Sequence, residues 1–446
     1  MATATATASR KGDHDCPELP PDTLRLILAS LPIKSRVRAR AVCAAWSSAV
    51  PDKIDPFPWL LRLPPAHGDA AAAAASSPAV FFPSTGTSAG FELPFHRPGT
   101  RCVGMHDGWI AAVDVDLGVR ILDPLSGARV DLPPLTACPG VGFGRGRASR
   151  RLHEQVEYRQ SPTAVTEFFP VDTFLDSVLV KIAFSAPGGA DDGDGEVGAF
   201  AVAVFWDRVV YTAAGLGECR QLTTPNAGTR CHPEKVVDVV HAGGGRFFGL
   251  TATDETHVTY LAPTALFDIQ VFDLSACGGG GGGGCPVEAS KLPVARLRPR
   301  QALRRQKFPS ADVFCARLFL LDGTPHVVLR WWDVLARADE MAVLASDPGD
   351  PLGWRAAGDL RGRALLVGNG CAAPVRAPGG AIGGDRVYFA DKVSCFARES
   401  NRRLTGVGTF DVKSGSLEML WKDGAGDDPL EACRAPTWFA PPSFFR

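Results

Sequence analysis

Between residues 109 and 412 the chain repeats one pattern: a short apolar run, rich in Val, Phe and Leu, closed off by Gly, Asp, Pro or Asn. The runs are Trp109–Val113, Val119–Leu122, Ser177–Phe184, Phe200–Phe205, Val236–Val240, Phe247–Thr251, His326–Trp331, Met341–Leu344, Ala364–Val367, Val387–Phe389 and Gly408–Val412. No long helical pattern separates them. Such runs, bounded by turn residues, predict strands and hairpins. The 48 Gly and 36 Pro of the 446 residues supply the turns. An all-β region of this length has to protect its sheet edges. Radial repetition of small sheets, a propeller, does so. A weak repeat fits: a turn leads into an apolar strand at Asp107-Gly108-Trp109-Ile110, Gly244-Gly245-Arg246-Phe247 and Gly384-Asp385-Arg386-Val387. Partner strands end in turns at Asp123-Pro124-Leu125-Ser126-Gly127 and Asp411-Val412-Lys413-Ser414-Gly415. The intervals are irregular, without G-H and W-D markers or a clean kelch period.

The N-terminal stretch differs. Asp22 stands before Leu24, Ile27, Leu28 and Leu31, whose spacing marks one face of an α-helix. Pro32 ends that helix. Ser35 is placed to cap a second helix, with Val37, Ala41, Ala44 and Ala45 on a small face and Val42, Cys43 and Trp46 around another. Two helices this short cannot bury so much apolar surface by themselves.

The order L-P-x-D-x-L-x-x-I-L-x-x-L-P followed by R-x-R-A-V-C-x-x-W resembles an F-box. It is carried by Leu19, Pro20, Asp22, Leu24, Ile27, Leu28, Leu31, Arg38, Arg40, Ala41, Val42, Cys43 and Trp46. Family members often have an acidic residue between the helices, where this chain has Ile33-Lys34-Ser35. The resemblance implies docking on a Skp1-like adaptor and, through it, on a cullin. The residues it assigns to that contact are Leu19, Pro20, Leu24, Ile27, Leu28, Leu31, Val42, Cys43 and Trp46. A second resemblance spans most of residues 80–446, to the C-terminal domain of plant F-box proteins of the KIB type. It rests on the order of Ile121–Gly127, Leu132-Pro133-Pro134, Val180–Ser185, Val271–Leu274, Leu365–Gly370, Val387–Asp391 and Pro436–Pro441. The expected architecture is therefore α+β multidomain, a small N-terminal all-α F-box followed by an all-β propeller-like domain. Residues 1–15 are expected to be a disordered tail, 16–50 the F-box, 51–79 a linker and 80–446 the propeller.

Charge is almost balanced, with 47 Lys and Arg against 48 Asp and Glu. No bulk attraction to nucleic acid or membrane follows. The twelve cysteines form no C-x-x-C pair, and no signal-peptide core or membrane-length apolar run is seen. Free thiols in a reducing compartment, cytoplasm or nucleus, are expected. Cys277 and Cys285 bracket seven glycines without zinc-site spacing. That segment and the Gly/Asp-rich Pro187–Glu196 are expected to be loops. Gly142-Phe143-Gly144-Arg145-Gly146 lacks the spacing of a dinucleotide fingerprint. The histidines are isolated, and Asp191-Asp192 and Asp427-Asp428 lie in Gly-rich text. Two basic clusters remain, Arg145–Arg151 and Arg296–Lys307; each reads as a solvated loop, a nuclear-import signal or a patch for an acidic partner.

The resulting functional expectation is a non-catalytic substrate receptor of an SCF-type ubiquitin ligase, with no catalytic residue, cofactor or metal. Arg300, Arg304 and Arg305 are its candidate target contacts, with Leu297 and Leu303 as anchors. Its C-terminal residues are expected to close the last blade against Val80–Phe82. The alternatives are a stand-alone propeller enzyme or small-ligand-binding protein, and an adaptor-binding protein with no role in degradation.

Overall fold

The computed structural model describes residues 19–39, 42–49, 59–63, 78–82, 87–93, 97, 99–144, 155–160, 165–186, 200–215, 217–222, 235–253, 266–275, 289–291, 297, 312–333, 338–347, 349, 353–368, 370–377, 382–394, 403–422 and 437–440. It divides into two compact units, residues 1–55 and 56–446.

In the first unit Pro21, at the start of α1 (Pro21–Ser30), needs no N–H partner there. Asp22 in the first turn complements the helix dipole. The helix ends before Pro32, and the Arg36 Nε donates to the Leu31 carbonyl at 2.7 Å. The second helix was expected to begin after a Ser35 cap. Instead α2 spans Ile33–Ala39 and starts directly behind Pro32, whose carbonyl accepts the Arg36 N–H at 3.0 Å. A turn at Val42 and Cys43 then breaks the chain before α3 (Ala44–Ala49), so there are three helices where the spacing predicts two. Leu24, Leu28, Ala39 and Ala49 are buried between them.

The second unit is mostly β. Its described residues form six sheets arranged as blades and one additional sheet. Strands β1 (Trp59–Arg62), β2 (Ala79–Phe82) and β3 (Thr87–Gly90) belong to the first blade. The second holds β4 (Arg101–His106), β5 (Trp109–Val113), β6 (Val119–Leu122) and β7 (Arg129–Leu132). The additional sheet follows: β8 (Val141–Gly144), β9 (Gln155–Arg159) and β10 (Thr166–Pro170). The third blade holds β11 (Leu179–Phe184), β12 (Phe200–Phe205), β13 (Val209–Ala213) and β14 (Arg220–Gln221). The fourth holds β15 (Lys235–His241), β16 (Arg246–Thr253), β17 (Leu266–Asp273) and β18 (Ala289–Lys291). The fifth holds β19 (Asp312–Leu321), β20 (Thr324–Asp333), β21 (Ala338–Ser346) and β22 (Trp354–Ala356). In the sixth, β23 (Arg363–Gly368) pairs with β24 (Cys371–Arg376) and, in parallel, with β25 (Arg386–Ser394), followed by β26 (Arg403–Asp411) and β27 (Leu417–Lys422). Nine of the eleven apolar runs lie wholly in strands; Ser177–Phe184 begins in a helical turn before β11, and Gly408–Val412 runs one residue past β26.

Inner strands touch in sequence round the ring, β4 to β11, β15, β19 and β24, and β24 touches β4 again. Closure falls to β28 (Thr437–Phe439), the innermost strand of the first blade. It pairs with β1, not with Val80–Phe82: Leu60 faces Trp438 on one side and Phe81 on the other. Trp59–Arg62, in the segment expected to be a linker, is thus the strand between the two. Trp59 and Trp438 are fully buried, and the Trp438 indole N–H donates to the Val367 carbonyl at 2.8 Å.

Three local devices recur in the blades. Two-residue turns with φ positive at both positions join β4 to β5 at Asp107-Gly108 and β19 to β20 at Asp322-Gly323. That geometry suits Asp-Gly and matches strand twist. A carboxylate at the end of the third strand caps the following turn in three blades, and one at the end of β26 does so in the sixth. Asp123 accepts the Leu125 N–H at 2.8 Å, Asp273 that of Ser275 at 3.0 Å, Asp347 that of Gly349 at 2.9 Å, and Asp411 that of Ser414 at 2.9 Å. The register also slips once between the first and second strands of the second to fifth blades, at Cys102/Gly104, Leu179/Lys181, Val236/Asp238 and Val313/Cys315. Such bulges add twist.

Candidate functional site

The first candidate surface lies on the helical unit. Leu24 and Leu28 of the nine adaptor-contact residues turn inward and form its core; Leu31, Cys43 and Trp46 are half-buried. Leu19, Pro20, Ile27 and Val42 are exposed. The face expected to be continuous is therefore divided: i and i+4 hold the unit together, and i+3 points to solvent. Leu26, absent from the expected set, is 74% exposed, beside Ile27 at 39%. Its signal was present in the sequence as a second apolar residue off the main stripe. The Asp22–Arg25 ion pair is solvent-exposed and adds little.

In the second unit a buried carboxylate ties three blades together. Asp238 of β15 meets the Lys181 ammonium of β11 at 2.8 Å. Its second oxygen accepts the Leu318 N–H of β19 at 2.7 Å, and the Val239 N–H donates to the first at 2.9 Å. With both charges buried and bonded, this is a structural clamp, not a solvent-accessible acid or base. Arg101 of β4 similarly reaches Asp172 at 3.0 Å and Asp176 at 3.3 Å.

Chemistry elsewhere is sparse. Among the described residues no three His, Cys, Asp or Glu side chains are placed to hold a metal ion, and no helix is long and apolar enough to cross a membrane. Cys43, Cys102, Cys138, Cys219 and Cys371 are not in disulfides. Burial pushes the Cys102 thiol up to about 12, away from the thiolate a nucleophile needs. His106 and His241 are not isolated as the sequence suggests: their ring nitrogens lie 3.2 Å apart where β4 and β15 end. Burial holds His326 below its usual range, its Nδ1 lying 2.9 Å from the Thr324 carbonyl. Arg300, Arg304 and Arg305, the Arg145–Arg151 cluster and the glycine run lie outside the described residues. Leu297 is described: it is fully buried and exchanges backbone bonds with Phe267 at 2.8 and 3.0 Å.

The sheet β8–β9–β10 was not legible as strands. It follows the second blade's outer strand and is fixed to the third blade. The Tyr158 hydroxyl donates to Asp207, Arg208 lies over the Tyr158 ring at 4.7 Å, and Phe169 meets Trp206 edge-on at 5.6 Å. Its outer side carries Phe168, 45% exposed, and next to β10 stands Val165 at 84%.

Comparison with known proteins assigns the two units. The F-box domain family matches residues 16–56, and the KIB1-4 beta-propeller family matches residues 80–411. An F-box protein of Arabidopsis thaliana is 30% identical over 128 residues, which cover 26% of this chain and 32% of that protein. The match therefore spans about a third of that relative's length. An exo-1,5-alpha-L-arabinanase from a bovine ruminal metagenomic library aligns at 10% identity over 60% of this chain and 99% of that one, with a TM-score of 0.24. The computationally designed Ika8 protein aligns at 11% identity over 82% and 91%, with a TM-score of 0.30. Neither structural likeness is close enough to inform function.

Proposed function

Because the chain belongs to the KIB1-4 beta-propeller family and carries an F-box domain ahead of the propeller, we propose that it is the substrate-recognition subunit of an SCF-type ubiquitin ligase. An F-box followed by a propeller fits substrate recognition in general, and the combination is typical of non-catalytic adaptors. In this reading the helical unit docks on a Skp1-like adaptor and through it on a cullin, in cytoplasm or nucleus. The propeller holds a protein target. Catalysis belongs to the rest of the ligase, and this chain contributes proximity, raising the effective concentration of target lysines near the charged ubiquitin carrier.

The observation that carries the reading is the apolar surface left open among the described residues of the F-box unit, at Leu19, Leu26, Ile27 and Val42. Leu26 and Ile27, adjacent on α1, are the centre of that surface, and exposed apolar neighbours of this kind suit a protein contact. Leu24 and Leu28 then serve the contact indirectly, by holding α1 in place. The test is binding of the full chain to a purified Skp1-like adaptor. Leu26→Asp with Ile27→Asp is expected to weaken it by about a hundredfold or more, since burying each side chain is worth about 1.5–3 kcal/mol. Binding that survives the double change removes the assignment.

A further inference from the structure

The inserted sheet offers something that none of the blades offers. Ring closure runs through β4, β11, β15, β19, β24 and β28 and does not use β8–β10. In that sheet β10 lies on the outside, and among the described residues no strand pairs with its far side. The direction of its free hydrogen-bonding groups follows from the register. The Arg159 N–H donates to the Gly140 carbonyl at 2.8 Å, so Arg159 turns its backbone groups towards the β8 side. Alternation then turns those of Tyr158 and Val156 towards β10, where they face Glu167 and Phe169. The N–H and C=O of Thr166 and Phe168 consequently point away from the sheet.

Blade edges elsewhere are blunted. The outer strands β14, β18 and β22 have two or three residues, β3 has four and includes Gly90, β7 carries Arg129 and Asp131, and β27 carries Glu418 and Lys422. Short or charged edges discourage strand addition. β10 has five residues and carries one charge, Glu167, whose backbone faces β9; Thr166 and Phe168, the positions beside Val165 whose backbone faces the edge, are uncharged. Phe168 lies across Gly144, where a Cβ would come within 2.4 Å of its ring, and Gly142 beside it leaves open space. On the same face the Arg159 guanidinium pairs with Glu157 at 3.4 Å and donates to the Thr166 hydroxyl at 3.1 Å, so the local charges cancel. Of the three large apolar residues exposed among the described residues of this unit, Val165, Phe168 and Leu420, two are here. Contacts of Tyr158 with Asp207 and of Phe169 with Trp206 anchor the sheet to the third blade.

We propose that β10 takes up an extended, uncharged, apolar segment of the target protein as an added strand, with backbone bonds to Thr166 and Phe168 and an apolar side chain packed on Phe168. The inference deepens the target-binding half of the function proposed above. Backbone pairing would supply affinity, and alternate side chains would supply selectivity.

The experiment pans a displayed library of short random peptides against the full chain in complex with its Skp1-like adaptor, and measures adaptor binding in parallel. Selected peptides are expected to alternate apolar residues and to lack charge. Thr166→Pro removes an outward N–H without breaking the pairing to β9, and is expected to weaken peptide binding by about tenfold. Thr166→Val keeps that N–H and is expected to retain binding. N-methylation at alternate peptide positions should reproduce the loss, Phe168→Asp should abolish binding, and Leu420→Asp should change nothing. Unaltered melting of each variant shows that the fold persists. Peptides insensitive to both Thr166→Pro and Phe168→Asp, or no selected peptide, overturn the proposal. So does a dimer of this chain that Thr166→Pro dissolves, because a second copy would then occupy the edge. Loss of adaptor binding alone, with peptide binding intact, removes the ligase reading and leaves this site standing.

Discussion

The helical unit and the propeller use apolar residues in opposite ways. In the helical unit the described core is Leu24, Leu28, Ala39 and Ala49, while Leu19, Leu26, Ile27 and Val42 are exposed. In the propeller one cluster alone buries more than twenty side chains, and the exposed large apolar residues among the described ones reduce to Val165, Phe168 and Leu420. A unit of the first kind has little stability to spare, and adjacent residues on one helix serve stability and contact. A unit of the second kind is closed on itself, so an added sheet can bury one face in the core, at Val141, Val156 and Tyr158, and leave Phe168 exposed on the other.

Removing the ring's closing strand should have the largest effect. Deleting Ala435–Arg446 removes Trp438 and Phe439, exposes the edge of β1 and leaves the Val367 carbonyl without its indole partner. The propeller is expected to lose its cooperative melt and aggregate. A sharp melt at the unchanged temperature would show that the ring does not depend on closure.

Next comes the clamp across three blades. Asp238→Ala leaves the Lys181 ammonium buried without its carboxylate and the Leu318 N–H without an acceptor, at a cost of about 3–5 kcal/mol. Asp238→Leu with Lys181→Met should recover much of the loss, because apolar replacement of both partners of a buried pair is often neutral or better. Urea denaturation of the three proteins measures this. Equal stability of Asp238→Ala and the native chain would place the strength of the ring elsewhere.

Within the helical unit the expected effects separate by neighbouring residues. Leu24→Ala creates a cavity and should destabilise the unit by about 2–5 kcal/mol. Leu26→Ala should fall within about 0.5 kcal/mol of the native chain, since the side chain is already in water. Proteolysis of the N-terminal segment, with the propeller as internal reference, distinguishes them. Similar losses in both variants would mean that Leu26 is part of the fold and would weaken its role as a contact.

How far these features could be read beforehand depends on where their signal resides. The Asp-Gly hairpins and the turn carboxylates Asp123 and Asp411 announce themselves, because their backbone geometry demands particular residues. The apolar runs mark strands because burial on both faces leaves no room for polar residues. Trp59–Arg62 was hidden by Pro51, Pro56, Pro58, Pro64 and Pro65: one of its two partner strands is nearly four hundred residues away, and local text favours a connector. The sheet β8–β10 escaped notice because Gly142, Gly144, Glu157 and Arg159 dilute its apolar residues, which it buries on one face only. On α1 the spacing gave the helix but not its orientation, because Leu26 and Ile27 look as suited to a core as Leu24 and Leu28. The bulges left no sequence signal, since Val103, Val180 and Val237 are ordinary strand residues.

The smallest effect separates the two units by pH. No histidine lies in residues 16–50, whereas His326 is buried in β20 with its ring 5.2 Å from that of Phe319. Burial lowers its pKa; the Thr324 carbonyl and Asp322 oppose that shift, and Arg361 and Arg355 reinforce it. The folded chain therefore holds His326 neutral at a pH where the unfolded chain already binds a proton. Its contribution is fully present above the unfolded value, about 6.5. It is lost progressively as pH falls below that value, until the folded form also protonates. One proton sets a ceiling of about 1.4 kcal/mol per pH unit on the slope. His326→Gln should lower stability at neutral pH slightly and flatten the decline of the propeller's melting temperature between about pH 6.5 and 5. Melting followed by an aromatic signal of the propeller reads this directly. If the native chain and His326→Gln decline in parallel, the acid sensitivity belongs to other groups, and His326 is only a packing residue between Phe319 and the turn at Asp322.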